Sequence, residues 1–154
     1  MYYDGFCVKR DYEMSLYWYE KGAKLGSAWS QTRSGEMYRD GRGTEIDIAM
    51  AVKYFKDAAI NGDIRSIEYL IHASYNREQY QDIFEWALNM LKNYAKTGSV
   101  DAMNRLGNMY YEGMSVKKSL DSALEWYGLG TIVGDYNCTM RYNEIMLEKE
   151  RSDR

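Results

Sequence analysis

The sequence predicts an all-α solenoid, in which pairs of helices repeat every 36 residues. Four glycines stand 36 residues apart, and a helix-capping Ser or Asp follows each of them: Gly26, Gly62, Gly98 and Gly134. Glycine adopts the left-handed conformation that ends a helix, and Ser or Asp caps the free N–H groups that begin the next one. The 154 residues include no proline, which favours uninterrupted helices. A period of this length is typical of helical repeat proteins.

Each repeat reads as a helix A, a short glycine turn and a helix B. Helix A begins at the Ser or Asp that follows the period glycine. Helix B begins near a second capping residue, such as Asp11, Asp47 or Ser119, and an apolar stripe follows it. In order along the chain, the pattern predicts helices over 11–25, 27–40, 47–61, 63–76, 80–97, 99–112, 119–133 and 135–150.

The repeats predict a single domain over 1–154. It comprises a partial repeat over 1–26, complete repeats over 27–62, 63–98 and 99–134, and a C-terminal capping helix over 135–150. On this alignment helix 11–25 has no helix A of its own, and the N-terminal end carries exposed aromatic residues: Tyr2, Tyr3, Phe6, Tyr12, Tyr17 and Tyr19. Exposed apolar patches mark association sites. We therefore expect a homodimer through this end, or contact with residues upstream of Met1.

The third repeat departs from the pattern. Arg77 replaces the glycine of its turn, and Ile71 stands where the fourth repeat has Gly107. Asn76 can take the left-handed position instead. We expect a changed turn between its two helices, or a helix B that starts late, near Asp82.

The fourth repeat carries a family signature, which includes Leu106, Gly107, Tyr110, Gly113, Val116, Ala123, Trp126, Tyr127 and Gly134. This signature resembles the Sel-one-like repeat (SLR) family, relatives of the tetratricopeptide repeats (TPR) with a longer unit. The resemblance implies a right-handed superhelix of antiparallel helix pairs, with the A helices on the concave side. It also implies an adaptor that assembles protein complexes, a role that such proteins often fill in bacteria. Cysteine-rich relatives have one disulfide in each repeat, and this chain lacks that pattern.

By analogy with tetratricopeptide repeats, the exposed faces of the A helices form the candidate partner-binding surface. Carboxylates outnumber cations on it and aromatic residues interleave with them, which favours a partner segment with basic and apolar residues. The alternative is a solvated charged face with no partner. The candidate residues are Trp29, Glu36, Arg39, Arg65, Glu68, His72, Tyr75, Asp101, Asn104, Asn108, Tyr111 and Glu112, and Asn137, Met140 and Glu144 continue the line.

Composition and motifs indicate that the chain is not an enzyme and binds neither a cofactor nor a metal. His72 is the only histidine, the two cysteines lie in distant repeats, and no catalytic motif is present. Gly41-Arg42-Gly43 follows a helix and is the turn of its repeat, not a phosphate loop. The net charge of −3 argues against nucleic-acid binding. The chain has no signal peptide or membrane-spanning segment, so we expect a cytoplasmic protein.

Two functions fit these observations. The first is a protein-interaction module, or adaptor, that binds a peptide or protein in its concave groove. The second is an inhibitor or immunity-type protein that occludes a basic toxin or enzyme with its acidic surface. An adaptor is expected to bind a short segment weakly, whereas an inhibitor is expected to co-purify with a folded partner.

Overall fold

The computed structural model describes residues 11–152, which form eight α-helices, one short 3₁₀ helix and no strand. The chain divides after Asp63 into two compact units. The first unit contains α1 (Tyr12–Lys24), α2 (Ala28–Asp40) and α3 (Ile48–Ile60). The second contains α4 (Ile64–Ser74), the 3₁₀ helix (Glu78–Tyr80), α5 (Gln81–Lys96), α6 (Val100–Glu112), α7 (Leu120–Ile132) and α8 (Tyr136–Ser152). The predicted all-α class is confirmed, and the predicted helices are present within a few residues of their expected bounds.

The helices begin and end where the 36-residue pattern places their signals. The four period glycines have φ angles between 85° and 105°. The side chains of Ser27 and Ser99 accept hydrogen bonds from backbone N–H groups at the starts of α2 and α6, at 3.2 and 3.3 Å. Asp47 and Ser119 cap α3 and α7 in the same way. Local sequence alone therefore sets most of the boundaries.

Within each unit, consecutive helices pack on each other, and glycines allow the closest approaches. A Cβ atom added at Gly35 would lie 2.6 Å from a ring carbon of Phe55, and one added at Gly107 would lie 2.5 Å from a ring carbon of Tyr127. Both aromatic rings are buried. The two glycines therefore leave the space that aromatic side chains of the B helices occupy.

In the third repeat, both the packing glycine of helix A and the aromatic residue of helix B are replaced. Ile71 occupies the glycine position, and Leu91 occupies the position of Phe55 and Tyr127 one period away. Ile71 and Leu91 are both fully buried. A larger residue on helix A thus accompanies a smaller one on helix B, in the direction expected of a packing compensation.

The turn of the third repeat is changed, as expected. Asn76 takes the left-handed conformation with φ 56°, one position before the glycines of the other turns. A 3₁₀ turn follows, and α5 begins at Gln81. The equivalents of the first residues of α3 and α7 would place this start at Phe84. The helix thus starts one residue from the expected Asp82, but early rather than late relative to the other repeats, because the 3₁₀ turn brings the chain into the helix three residues sooner.

The single domain over 1–154 and the repeat bounds inside it stay predictions. The predicted aromatic residues Tyr2, Tyr3 and Phe6, like Cys7, lie outside the described residues. Among the predicted aromatic residues of α1, Tyr12 and Tyr17 are exposed, as is the neighbouring Trp18. Tyr19 is half-buried and packs edge-on against Trp29, with 5.2 Å between the ring centroids.

Candidate functional site

In the first unit, the candidate residues Trp29, Glu36 and Arg39 lie along α2. Trp29 is half exposed, and the Arg33 guanidinium lies 5.5 Å from the centre of its ring. Arg33 also donates to Glu36 at 2.7 Å. Trp29 and Glu36 line an open pocket of about 420 Å³, here named the α2 pocket, together with Asp11, Tyr12, Ser15, Tyr19, Arg33, Met37 and Arg42. Arg39 is paired with Asp40 and does not line this pocket.

In the second unit, α4 carries Arg65, Glu68 and His72 at successive helical turns, and Tyr75 directly follows the last residue of this helix. Arg65 is half-buried, and Tyr75 is partly exposed with its ring 5.8 Å from that of Phe84. Glu68 accepts a short hydrogen bond from Arg105 of α6, and its other carboxylate oxygen lies 3.7 Å from His72 Nε2. Glu68, His72 and Tyr75 are thus all engaged by neighbours inside the unit.

The carboxylate of Glu68 belongs to a chain of charged groups that joins α4 to α6. Arg105 bonds both Glu68 and Asp101, the latter at 3.0 Å. Burial raises the pKa of Glu68, but the nearby His72 ring and the hydrogen bond and charge of Arg105 outweigh it and leave this pKa below its ordinary value. Glu68 is therefore held as a carboxylate and supports the packing of α4 on α6.

His72 also holds a turn of the fourth repeat. Its Nδ1 lies 2.6 Å from the hydroxyl oxygen of Ser115, a residue with φ 58° in the turn between α6 and α7. A serine–histidine–carboxylate group of this composition occurs in hydrolases, where the carboxylate bonds the second ring nitrogen directly. Here Glu68 stands 3.7 Å from that nitrogen and is bonded to Arg105. We interpret the hydrogen bond between His72 and Ser115 as a structural contact that stabilises the turn between α6 and α7.

The candidate residues of α6 face a groove that also receives α8. Asp101, Asn104 and Asn108 line it on α6, and Asn137, Met140, Arg141 and Glu144 line it on α8. The groove measures about 540 Å³ and is here named the α6–α8 groove. Every residue that the helical phase assigned to the concave side of α8 lies in this one groove. It combines three side-chain amides, one exposed methionine and three charged groups.

Tyr111 and Glu112, the remaining candidates, lie at the end of α6 and outside this lining. The Tyr111 hydroxyl donates to Glu148 at 3.2 Å, and Lys118 lies 5.3 Å from the centre of its ring. The negative charge of Glu148 raises the pKa of Tyr111. Glu112 is exposed.

Comparison with known proteins decides the family. The family model of the Sel1 repeat matches residues 1–27, 30–63 and 100–130, which make up more than half of the chain. The chain belongs to the Sel1 repeat family. The matched ranges leave out 64–99, the stretch in which the turn glycine and the packing glycine are both replaced.

Known proteins similar to this chain carry the same repeat. A putative sel1-like repeat-containing protein of Acanthamoeba polyphaga mimivirus is 36% identical over 62 residues, which cover 38% of this chain and 11% of that protein. A Sel1 repeat protein from Oxalobacter formigenes has a similar structure, with a TM-score of 0.64, 26% identity and coverage of 89% of this chain and 56% of that one.

A protective antigen of uropathogenic Escherichia coli strains displays an SLR fold and is also similar, with a TM-score of 0.62 and 27% identity over 88% of this chain and 29% of that one. This chain therefore has the SLR fold, and it spans about half or less of the length of these relatives. Sel1 repeat proteins are generally protein-interaction modules, and the fold is typically a non-enzymatic scaffold.

The sequence interpretation missed a line of arginines in this Sel1 repeat chain. Arg33, Arg105 and Arg141 stand at the same position of three repeats, and each pairs with a carboxylate of its own helix. Three of the carboxylates taken as available for a basic partner, those of Glu36, Asp101 and Glu144, are thus compensated. The 36-residue spacing of these arginines and their i+3 or i+4 distance from the carboxylates were visible in the sequence.

Three further observations concern metal ions, thiols and membranes. Within residues 11–152, no group of three His, Cys, Asp or Glu side chains is placed to hold a metal ion. Cys138 is a buried free thiol, and burial raises its pKa to about 12. None of the described helices is long and apolar enough to cross a membrane.

Proposed function

We propose that this Sel1 repeat chain is a non-enzymatic adaptor that holds a segment of a protein partner on the exposed faces of its A helices. The α6–α8 groove is the principal contact. The proposal rests on one observation above all: Asp101, Asn104, Asn108, Asn137, Met140 and Glu144 line a single open groove. Polar groups that can fix a ligand's orientation, beside an apolar anchor point, are what a recognition site requires.

The chemistry of the two units indicates what such a partner carries. Met140 offers an exposed, adaptable apolar contact inside the groove. The α2 pocket of the first unit offers the half-exposed ring of Trp29 beside Tyr19. Both sites suit apolar or aromatic side chains. A basic residue of the partner would find Asp101 and Glu144 at the groove, each in competition with an arginine already bound to it.

The inhibitor alternative relies on a strongly acidic surface. Because arginines pair with Glu36, Glu68, Asp101 and Glu144, these carboxylates give that alternative little support. A cytoplasmic location remains our expectation from the sequence.

Site-specific photo-crosslinking in the native host tests the adaptor proposal. We expect a photo-reactive phenylalanine analogue in place of Met140 to yield a discrete crosslinked partner, since this side chain lies in the groove. The same analogue in place of Glu125, an exposed residue of α7, is the matched control and should yield none of that product. Equal products at both positions, or none at Met140, would contradict the groove as the contact surface.

We also propose a homodimer through the exposed aromatic side chains of α1, Tyr17 and Trp18, here named the α1 face. Trp18 is 62% exposed, although Trp126 at the equivalent position of α7 is only 5% exposed. Tyr17 packs edge-on against Trp18, with 5.3 Å between the ring centroids, and the two rings form an exposed apolar patch. A second copy of the chain would bury this surface as the neighbouring helices bury Trp126.

Light scattering after size exclusion decides whether this face self-associates. We expect a dimer at tens of micromolar and a monomer for Trp18→Ser. Trp86→Ser removes another exposed tryptophan, which lies on α5, and should leave the dimer intact. A monomeric parent protein rejects the homodimer.

A further inference from the structure

Two asparagines of α6 have side-chain amides whose orientation the protein fixes. The Nδ2 group of Asn104 donates to the Val100 carbonyl at 3.2 Å and to Asp135 Oδ2 at 3.3 Å. An amide has two N–H donors, and these two acceptors of the protein occupy both of them. The Oδ1 atom of Asn104 therefore remains as the acceptor that this groove-lining residue can offer a ligand.

Asn108 is held in the opposite sense. Its Oδ1 accepts a hydrogen bond of 2.6 Å from the hydroxyl of Tyr127, which lies almost completely buried on α7. Burial raises the pKa of Tyr127 to about 12, so the hydroxyl keeps its proton and always donates. Among residues 11–152, no acceptor is found for the Nδ2 group of Asn108, which leaves two N–H donors at the groove.

The acceptor and the donor lie one helical turn apart on the same face. Four residues of α-helix rise about 6 Å. In an extended peptide, N–H and C=O groups alternate along each side of the strand, and each kind recurs every two residues, at about 6.6 Å. One N–H and one C=O of such a peptide can therefore meet Asn104 and Asn108 together.

Building on the proposed function, we propose that the α6–α8 groove recognises the main chain of an extended peptide segment. Asn104 accepts from a peptide N–H, and Asn108 donates to a peptide C=O. A helical partner is excluded from this mode, because its main-chain groups are already bonded within the helix. Side chains of the segment then contact Met140, and these contacts make binding depend on the peptide sequence.

Among the described helix pairs, only the fourth repeat has both the fixed acceptor and the fixed donor. At the position of Asn108, α2 has Glu36 and α4 has His72, and the matching B-helix residues Phe55 and Leu91 carry no hydroxyl. The Asn104 contact does have a counterpart, since Thr32 donates to Asp63 at 2.7 Å in the first unit. Only α6 therefore combines a fixed acceptor with a fixed donor.

Selection of peptides supplies the probe for this mode. Random 12-residue peptides displayed on phage are selected on the full chain, and the enriched peptides are synthesised with a fluorescent label for anisotropy. We expect N-methylation of one central peptide bond to weaken binding at least tenfold, since it removes the N–H that Asn104 accepts. Because this change lies in the ligand, it cannot act through misfolding of the protein.

Protein variants test the fixed amides. Tyr127→Phe keeps the ring against Gly107 but frees the Asn108 amide, and we expect about a tenfold loss of peptide affinity. Tyr54→Phe is the matched control: it removes a tyrosine hydroxyl that donates to Glu20 at 3.2 Å in the first unit, and should not change the affinity. Asn108→Leu should abolish binding, with far-UV circular dichroism as the check on folding.

The outcomes separate this inference from the proposed function. Main-chain recognition is overturned if the selected peptides crosslink at Met140 but bind equally well after N-methylation and bind Tyr127→Phe as tightly as the parent protein. The groove would then remain supported as the contact surface of the adaptor. If no peptide is enriched over selection on Asn108→Leu, main-chain recognition fails. Photo-crosslinking in the host then decides the groove by itself.

Discussion

Replacing Gly107 with alanine is expected to lower the free energy of unfolding by about 2 kcal/mol. The new Cβ atom would lie 2.5 Å from a ring carbon of Tyr127, whose ring is buried and has little space to move. Gly128→Ala is the matched control in α7: its Cβ atom would lie an ordinary 3.5 Å from Tyr142. There we expect no loss, and a gain of up to about 1 kcal/mol, because alanine favours a helix over glycine. Urea denaturation of the two variants measures the difference.

The third repeat supplies the matching rescue. Gly107→Ile alone should be more harmful than Gly107→Ala, whereas Gly107→Ile combined with Tyr127→Leu recreates the Ile71 and Leu91 pair. The double variant should therefore recover most of the lost stability, and the two changes should couple strongly in a double-mutant cycle. Additive losses would mean that the paired exchange in the third repeat is not a packing compensation.

Arg105→Ala is expected to cost about 2 kcal/mol of unfolding free energy, since it leaves the carboxylate of Glu68 poorly hydrated and without its strongest partner. The side chains of Glu68 and Arg105 are 15% and 21% exposed. Arg141 and Glu144 form a similar pair with exposures of 54% and 55%. Arg141→Ala should therefore change the stability by less than about 0.5 kcal/mol, because water replaces an exposed ion pair well.

The cost of Arg105→Ala should depend on pH with a definite sign. Because the folded state lowers the pKa of Glu68, the stabilisation is fully present above the pKa of the unfolded chain. It is lost as the pH falls through the folded pKa. The difference between the parent protein and the variant should thus be full at neutral pH and shrink in acid. A constant difference would show that Arg105 acts through packing alone.

The parts of the fold that follow from local sequence were predictable. Ser99 caps α6 and Gly98 ends α5 because of interactions within a few residues, and Asn76 takes the left-handed position for the same reason. The start of α5 near residue 80 was predicted, but the 3₁₀ turn at Glu78–Tyr80 was not, since no local signal marked it.

The candidate site divides in the same way. Helical phase assigned Asn104, Asn108 and Met140 to one face, and they line one groove. Their hydrogen bonds could not be read from the phase, because Asp135 and Tyr127 come from other helices. The bond between Glu68 and Arg105 likewise joins residues 37 positions apart. Whether a carboxylate is available to a partner depends on such contacts, and a single A helix does not reveal them.

The arginines that accompany the carboxylates bear on how fast a partner arrives. A surface with one dominant charge accelerates the encounter with an opposite charge, and that acceleration fades in salt. Arg33, Arg105 and Arg141 each cancel a carboxylate of their own helix, so the field at each of these faces is weak. Association should then proceed at the unassisted rate of docking two specific surfaces. Discrimination among partners would reside in how long each complex survives before it dissociates.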